Sequence, residues 1–177
     1  MKKILIAFML LFSTATMAQR LSVLGIEMGT SIDKAEKILK ERYGEFNVYR
    51  TGNVELRVYD ALVGGSEFSF INFHFQCSRY GNATYTYLSN INLQKNFNSY
   101  DNAKSMFDSW EEKLDNKYTA TTIKDFYYDN QEDIGFTIWY EEGVVLDLTY
   151  LESKGGEYYW YVIINYHEDI IDESNDY

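Results

Sequence analysis

Two stretches of the chain place apolar residues every three to four positions, and most of the remainder alternates apolar with polar. Ile32, Ala35, Ile38, Leu39 and Tyr43 follow helical spacing, with Lys34, Lys37, Lys40 and Glu41 on the other side. Thr30 with Asp33 three residues later makes a capping-box-like start, and Gly44 supplies a stop. A second helix is predicted from about Ser99 to Asn116. There Tyr100, Ala103, Phe107, Trp110 and Leu114 recur at helical steps, and Lys104, Asp108, Glu111 and Glu112 take the wet side. Elsewhere the period is two, the mark of strands with one face on a core. The apolar parities are Val54, Leu56, Val58; Ile71, Phe73, Phe75; Tyr85, Tyr87, Ile91, Leu93; Phe136, Ile138, Tyr140; Leu146, Leu148, Tyr150; and Trp160, Val162, Ile164. Gly64-Gly65, Tyr80-Gly81-Asn82, Glu142-Gly143 and Lys154-Gly155-Gly156 punctuate these runs as hairpin turns.

The two helical stretches match one another. Ser31-Ile32-Asp33-Lys34-Ala35 lines up with Ser99-Tyr100-Asp101-Asn102-Ala103, and each helix is followed by about four strand-like runs. The order predicts an α+β fold of two tandem α-β-β-β-β repeats. Their strands form a mainly antiparallel sheet, with both helices on one face and the other face open. The boundaries fall at 19–97 for the first repeat and 98–167 for the second, with an acidic tail over 168–177.

Residues 1–18 carry a different pattern. Lys2 and Lys3 precede an unbroken apolar run, Ile4 to Phe12, and a small-x-small end at Thr16-Met17-Ala18. This is the layout of a secretory signal peptide cleaved after Ala18, and the run is too short for a membrane span. The expected location is periplasmic or secreted, without membrane insertion. The formal charge is −11, and removal of Lys2 and Lys3 makes it more negative. Such a surface repels phosphate backbones, which argues against nucleic acid as a partner. Cys77 is the only cysteine, so no intrachain disulfide can form, and its place at the end of an aromatic strand predicts a buried or half-buried thiol.

The opening Gly25-Ile26-Glu27-Met28-Gly29-Thr30-Ser31, followed by Ala35, Ile38 and Leu39, resembles the SmpA/OmlA and β-lactamase-inhibitor-protein-like (BLIP-like) domains. The likeness covers residues 24–44 as a motif, with the repeat at 99–118, and the remainder as element order. It implies tandem α-plus-four-strand halves in an exported chain. BLIP-type inhibitors carry a disulfide in each half, which this chain cannot form. SmpA/OmlA proteins are lipid-anchored with one short unit. Inhibitor activity and outer-membrane assembly are therefore not carried over.

No nucleophile elbow, zinc-protease helix or phosphate-binding glycine loop occurs, and no catalytic residue, metal or cofactor is assigned. His74 and Cys77 lack the further ligands that zinc needs, and alternate pleats point them apart. Asp125, Asp129, Glu132 and Asp133 read as a solvated acidic loop without the glycine turn of a calcium site. Paired carboxylates, with Asp147, Glu141 and Glu142 as candidates, would suit a small envelope hydrolase. The stronger signal is aromatic. If the apolar parity faces the helices, the other parity exposes Tyr59, Phe70, Trp139, Tyr159 and Tyr161, rimmed by Glu55, Glu141, Asp147 and Glu157. Tyr and Trp dominate binding hot spots, so the reading is a non-enzymatic module that engages a protein or glycan, with oligomeric state left open.

Overall fold

The computed structural model describes residues 21–80, 83–118, 125–129, 132–140 and 143–167. Residues 1–18, read as a signal peptide, the tail 168–177 and the Glu141-Glu142 pair lie outside them. The architecture is α+β, a large antiparallel sheet with two helices. Among the described residues no helix is long and apolar enough to cross a membrane.

A two-residue hairpin, β1 (Ser22–Val23) with β2 (Ile26–Glu27), precedes helix α1 (Ile32–Tyr43). A 3-10 turn (Glu45–Asn47) leads into β3 (Val48–Thr51), β4 (Glu55–Val63), β5 (Ser66–Tyr80) and β6 (Ala83–Phe97). Helix α2 (Tyr100–Asp115) then leads into β7 (Asp125–Asp129), β8 (Glu132–Tyr140), β9 (Val144–Glu152) and β10 (Tyr158–His167). The sheet has eight strands in the order β3-β4-β5-β6-β10-β9-β8-β7, and every neighbouring pair is antiparallel. Three of these elements, β1, β2 and β3, are too short to leave a period in the sequence.

The apolar stripes become the core. Ile32, Ala35 and Leu39 of α1, and Ala103, Phe107, Trp110 and Leu114 of α2, are buried. They join one cluster with Leu56, Val58, Ile71 and Phe73, and with Leu146, Leu148, Val162 and Ile164. Trp110 ties the second helix to the β4–β5 hairpin. Its indole N–H donates to Ser66 Oγ at 3.1 Å, and its ring meets Phe68 edge-on with centroids 5.5 Å apart. The turn between those strands passes so close that a Cβ on Gly64 would lie 3.0 Å from the indole, and Gly64 has φ +56°.

Four sequence readings change. Helix α1 starts from Ser31 as N-cap, and no side-chain cap bond forms there. Thr30 is engaged elsewhere, because its carbonyl accepts from Leu88 N–H at 2.8 Å while Gly29 N–H donates to Leu88 carbonyl at 2.9 Å. The second change follows from the first. Leu88 pairs with Phe75, yet Asn90 pairs with His74, which leaves Ser89 as an extra residue in β6. The bulge flips the strand's parity. Leu88, Ile91 and Leu93 are buried, whereas Tyr85 is exposed and Tyr87 is half-buried.

Third, Cys77 is exposed rather than half-buried. Beyond Phe75 the hairpin β5–β6 runs on past the last β4 pair (Glu55 with His74) and the last β10 pair (Asn90 with His167). A ribbon paired on one side only has little to cover its faces. Fourth, Asp125 and Asp129 lie in strand β7 and Glu132 and Asp133 in strand β8, which pair with one another, rather than in a loop. Between the acidic residues lies Phe126-Tyr127-Tyr128, an aromatic run of strand-forming residues.

Candidate functional site

Positions between the core residues of each strand form the opposite side of the sheet, and pairing arranges them in cross-strand rows. One row runs Tyr49, Arg57, Asn72, Asn92, Asn165, Val145, Trp139 from β3 to β8. The row beside it runs Tyr59, Phe70, Gln94, Ile163, Asp147, Thr137, and the register brings Asp125 of β7 to its end. On the other side lie Glu55, His74, Asn90 and His167.

The five aromatic positions read from the sequence all fall on this side. Tyr59 is 45% exposed, Trp139 43% and Tyr159 37%, while Phe70 and Tyr161 are half-buried. They form two groups rather than one strip. On β3–β5, Tyr49 meets Tyr59 edge-on at 5.3 Å and Tyr59 meets Phe70 at 6.5 Å, with the Arg57 guanidinium 5.3 Å from the Phe70 centroid. Across the sheet, Trp139 lies beside Val145 and its ring is 6.3 Å from that of His167. Val145 is buried, yet it stands apart from the main core cluster. Tyr159 and Tyr161 continue along β10, where Tyr159 is opposite the exposed Leu151. The Tyr159 hydroxyl donates to Glu157 at 3.1 Å, and this carboxylate holds the phenol above its ordinary pKa.

Between the two groups lies a polar network that sequence reasoning missed. Arg57 Nε donates to Asn72 Oδ1 at 2.5 Å, and Asn92 Nδ2 donates to Asn165 Oδ1 at 2.7 Å. Asn165 Nδ2 reaches Asp147 Oδ2 at 3.5 Å, and Thr137 Oγ1 donates to Asp147 Oδ1 at 2.7 Å. Asn90 and His167 approach to 3.5 Å. Glu55 accepts from Arg57 at 3.1 Å and lies 3.7 Å from His74 Nδ1. Thus Glu55 and Asp147 belong to the face rather than to a rim. Alternation hinted that these positions were polar, but nothing local in the sequence could bring Asn92 to Asn165.

Asp147 is the perturbed group. Burial raises its pKa above the usual carboxylate value, and the bonds from Thr137 and Asn165, together with nearby His167, only partly oppose this. Glu55 on the same face is four strand spacings across and four residues along from it, more than about 19 Å away. Asp125 is two spacings away along Asp147's own row, about 10 Å between backbones. No group of three or more potential metal ligands occurs among the described residues. Two shallow surface depressions lie elsewhere, one lined by Glu36, Lys40 and Glu45 around α1 and one by Asn102, Ser105 and Met106 of α2 with Glu67 and Lys95 of the sheet. No family model, curated protein or solved structure matches the chain.

Proposed function

We propose that the chain is an exported, non-enzymatic binding module made of two tandem α-β-β-β-β units. Both helices lie on one side of the sheet, and the other side is left open to engage a protein or glycan. The strand order supports the duplication. It reads the first unit outward-in and the second inward-out, so that β6 meets its counterpart β10 at the centre and β3 and β7 form the edges. Two copies joined about a local twofold axis give this order, and element order is where the BLIP-like resemblance also lies. The Lys-Lys start, short apolar run and Thr16-Met17-Ala18 support export.

One observation carries the binding reading: large aromatic rings at Tyr59, Trp139 and Tyr159 stand more than a third exposed on the side opposite the core. The solvated part of an indole or phenol ring adds nothing to stability, and grouped exposed apolar surface marks interaction sites. The test is a pull-down from envelope extract with the chain beginning at Gln19, compared with a Trp139→Ala/Tyr161→Ala double variant. Capture lost in the variant supports the reading. No capture, or capture that the variant retains, refutes it.

A second reading, a small envelope hydrolase using paired carboxylates, draws support from Asp147, whose pKa burial raises. It requires release of reducing sugar that Asp147→Asn abolishes.

A further inference from the structure

We infer that the middle of this sheet face takes an uncharged oligosaccharide lying across the strands. The inference deepens the binding reading above and rests on it. The argument begins with where polar and apolar groups sit. Interfaces built for another protein bury apolar anchors at the centre and keep polar groups at the rim. Here the arrangement is reversed. Asn72, Asn92 and Asn165 are consecutive partners in the central row, while Tyr59 with Phe70 and Trp139 with Val145 flank them. A flat protein surface laid on this face would have to desolvate the half-buried Asn92 and Asn165 amides at its centre, beside the already buried Asn72, which is costly unless each finds a partner.

A sugar chain has the complementary pattern. Its hydroxyls both donate and accept, and the C–H faces of its rings are flat and apolar. Each side-chain amide has two N–H donors and a carbonyl with two lone pairs. The Asn92–Asn165 bond uses one donor of the first and one lone pair of the second. Capacity therefore remains on both for ligand hydroxyls. Asn72 to Trp139 spans four strand spacings, about 19 Å, the scale of a short oligosaccharide rather than of one sugar.

Charge selects the uncharged class. The chain carries −11, which opposes anionic polymers. The positive charge of this row, Arg57, is already matched by Glu55 at 3.1 Å. A cationic polymer would meet Asp147 in the neighbouring row, but its carboxylate already accepts from Thr137 and Asn165. A neutral polyol needs no unmatched charge and can add to these bonds without breaking them.

The experiment titrates the chain beginning at Gln19 with chitotetraose, cellotetraose and maltotetraose, following heat and tryptophan emission. Trp139→Ala and Asn92→Ala are compared, with circular dichroism to verify folding. Phe46→Ala serves as control, because Phe46 is 89% exposed in the 3-10 turn away from the sheet rows. Binding of at least one tetrasaccharide, weakened tenfold or more by Trp139→Ala and by Asn92→Ala but not by Phe46→Ala, supports the inference. Saccharide binding that both face variants retain overturns it. If no tetrasaccharide binds while an envelope protein is still captured through Trp139, the glycan assignment fails and the binding module stands. If neither is bound, both readings fail.

Discussion

Replacing Trp110 and Trp139 by alanine, one at a time, separates the two sides of the sheet by energy. A tryptophan removes roughly 150–250 Å² from water when buried. Trp110 is 6% exposed, so nearly all of that area is at stake, about 5 kcal/mol at roughly 25 cal/mol per Å². The figure lies at the upper end of the range for such truncations, and the lost edge-on contact with Phe68 and bond to Ser66 keep it there. Trp139 is 43% exposed, so only a little more than half its area is covered, about 3 kcal/mol as an upper bound. A compact denatured chain hides part of that area already, which lowers the expectation to about 2 kcal/mol. The ring therefore contributes more than a fully solvated side chain would, because more than half of it is out of water. With about 2–4 °C per kcal/mol for a chain of this size, Trp139→Ala should lower Tm by roughly 4–8 °C and Trp110→Ala by at least about one and a half times as much. Urea denaturation followed by far-UV circular dichroism measures both. Equal losses would mean that Trp139 is a core residue, and the binding face would have to be abandoned.

Three further outcomes are expected. Asp147 has its folded pKa raised above 3.8, so the folded state takes up its proton more readily than the unfolded chain. Its contribution is most favourable below 3.8 and declines as pH rises through the raised folded value. Wild type should therefore gain stability relative to Asp147→Asn as pH falls through that window, measured by paired urea titrations between about pH 3 and 7; a difference constant with pH would contradict the burial. Gly64→Ala should cost about 1–3 kcal/mol, because φ is +56° and the new methyl would press on the Trp110 indole. A loss below about 0.5 kcal/mol in thermal melts would place the turn elsewhere. Finally, the exposed Cys77 should react fully with a thiol-specific dye in the native state, without denaturant. Labelling that begins only on unfolding would return the thiol to the interior.

Both helices, most of the strand parities and the turns at Gly64-Gly65 and Lys154-Gly155-Gly156 were legible in the sequence, because each is written in residues a few positions apart. Ile32, Ala35 and Leu39 are buried as their spacing requires, and so are Leu146 with Leu148 and Val162 with Ile164. The same alternation placed Tyr59, Phe70, Trp139, Tyr159 and Tyr161 on the side away from those residues. Parity failed where a backbone partner outside the strand intervened. The bulge at Ser89 exists together with the bonds of Leu88 to Gly29 and Thr30, almost sixty residues earlier in the chain.

What only the tertiary structure decided is who stands beside whom. The pleat tells each residue which way to point, but strand order and register are set by pairing between distant segments, which no local period records. Asn92 and Asn165 meet because β6 pairs with β10, and Asp147 joins them because β9 lies on the far side of β10. The same reach explains Cys77: its neighbours in sequence are those of a core strand, yet β4 and β10 end before its level and leave it in water.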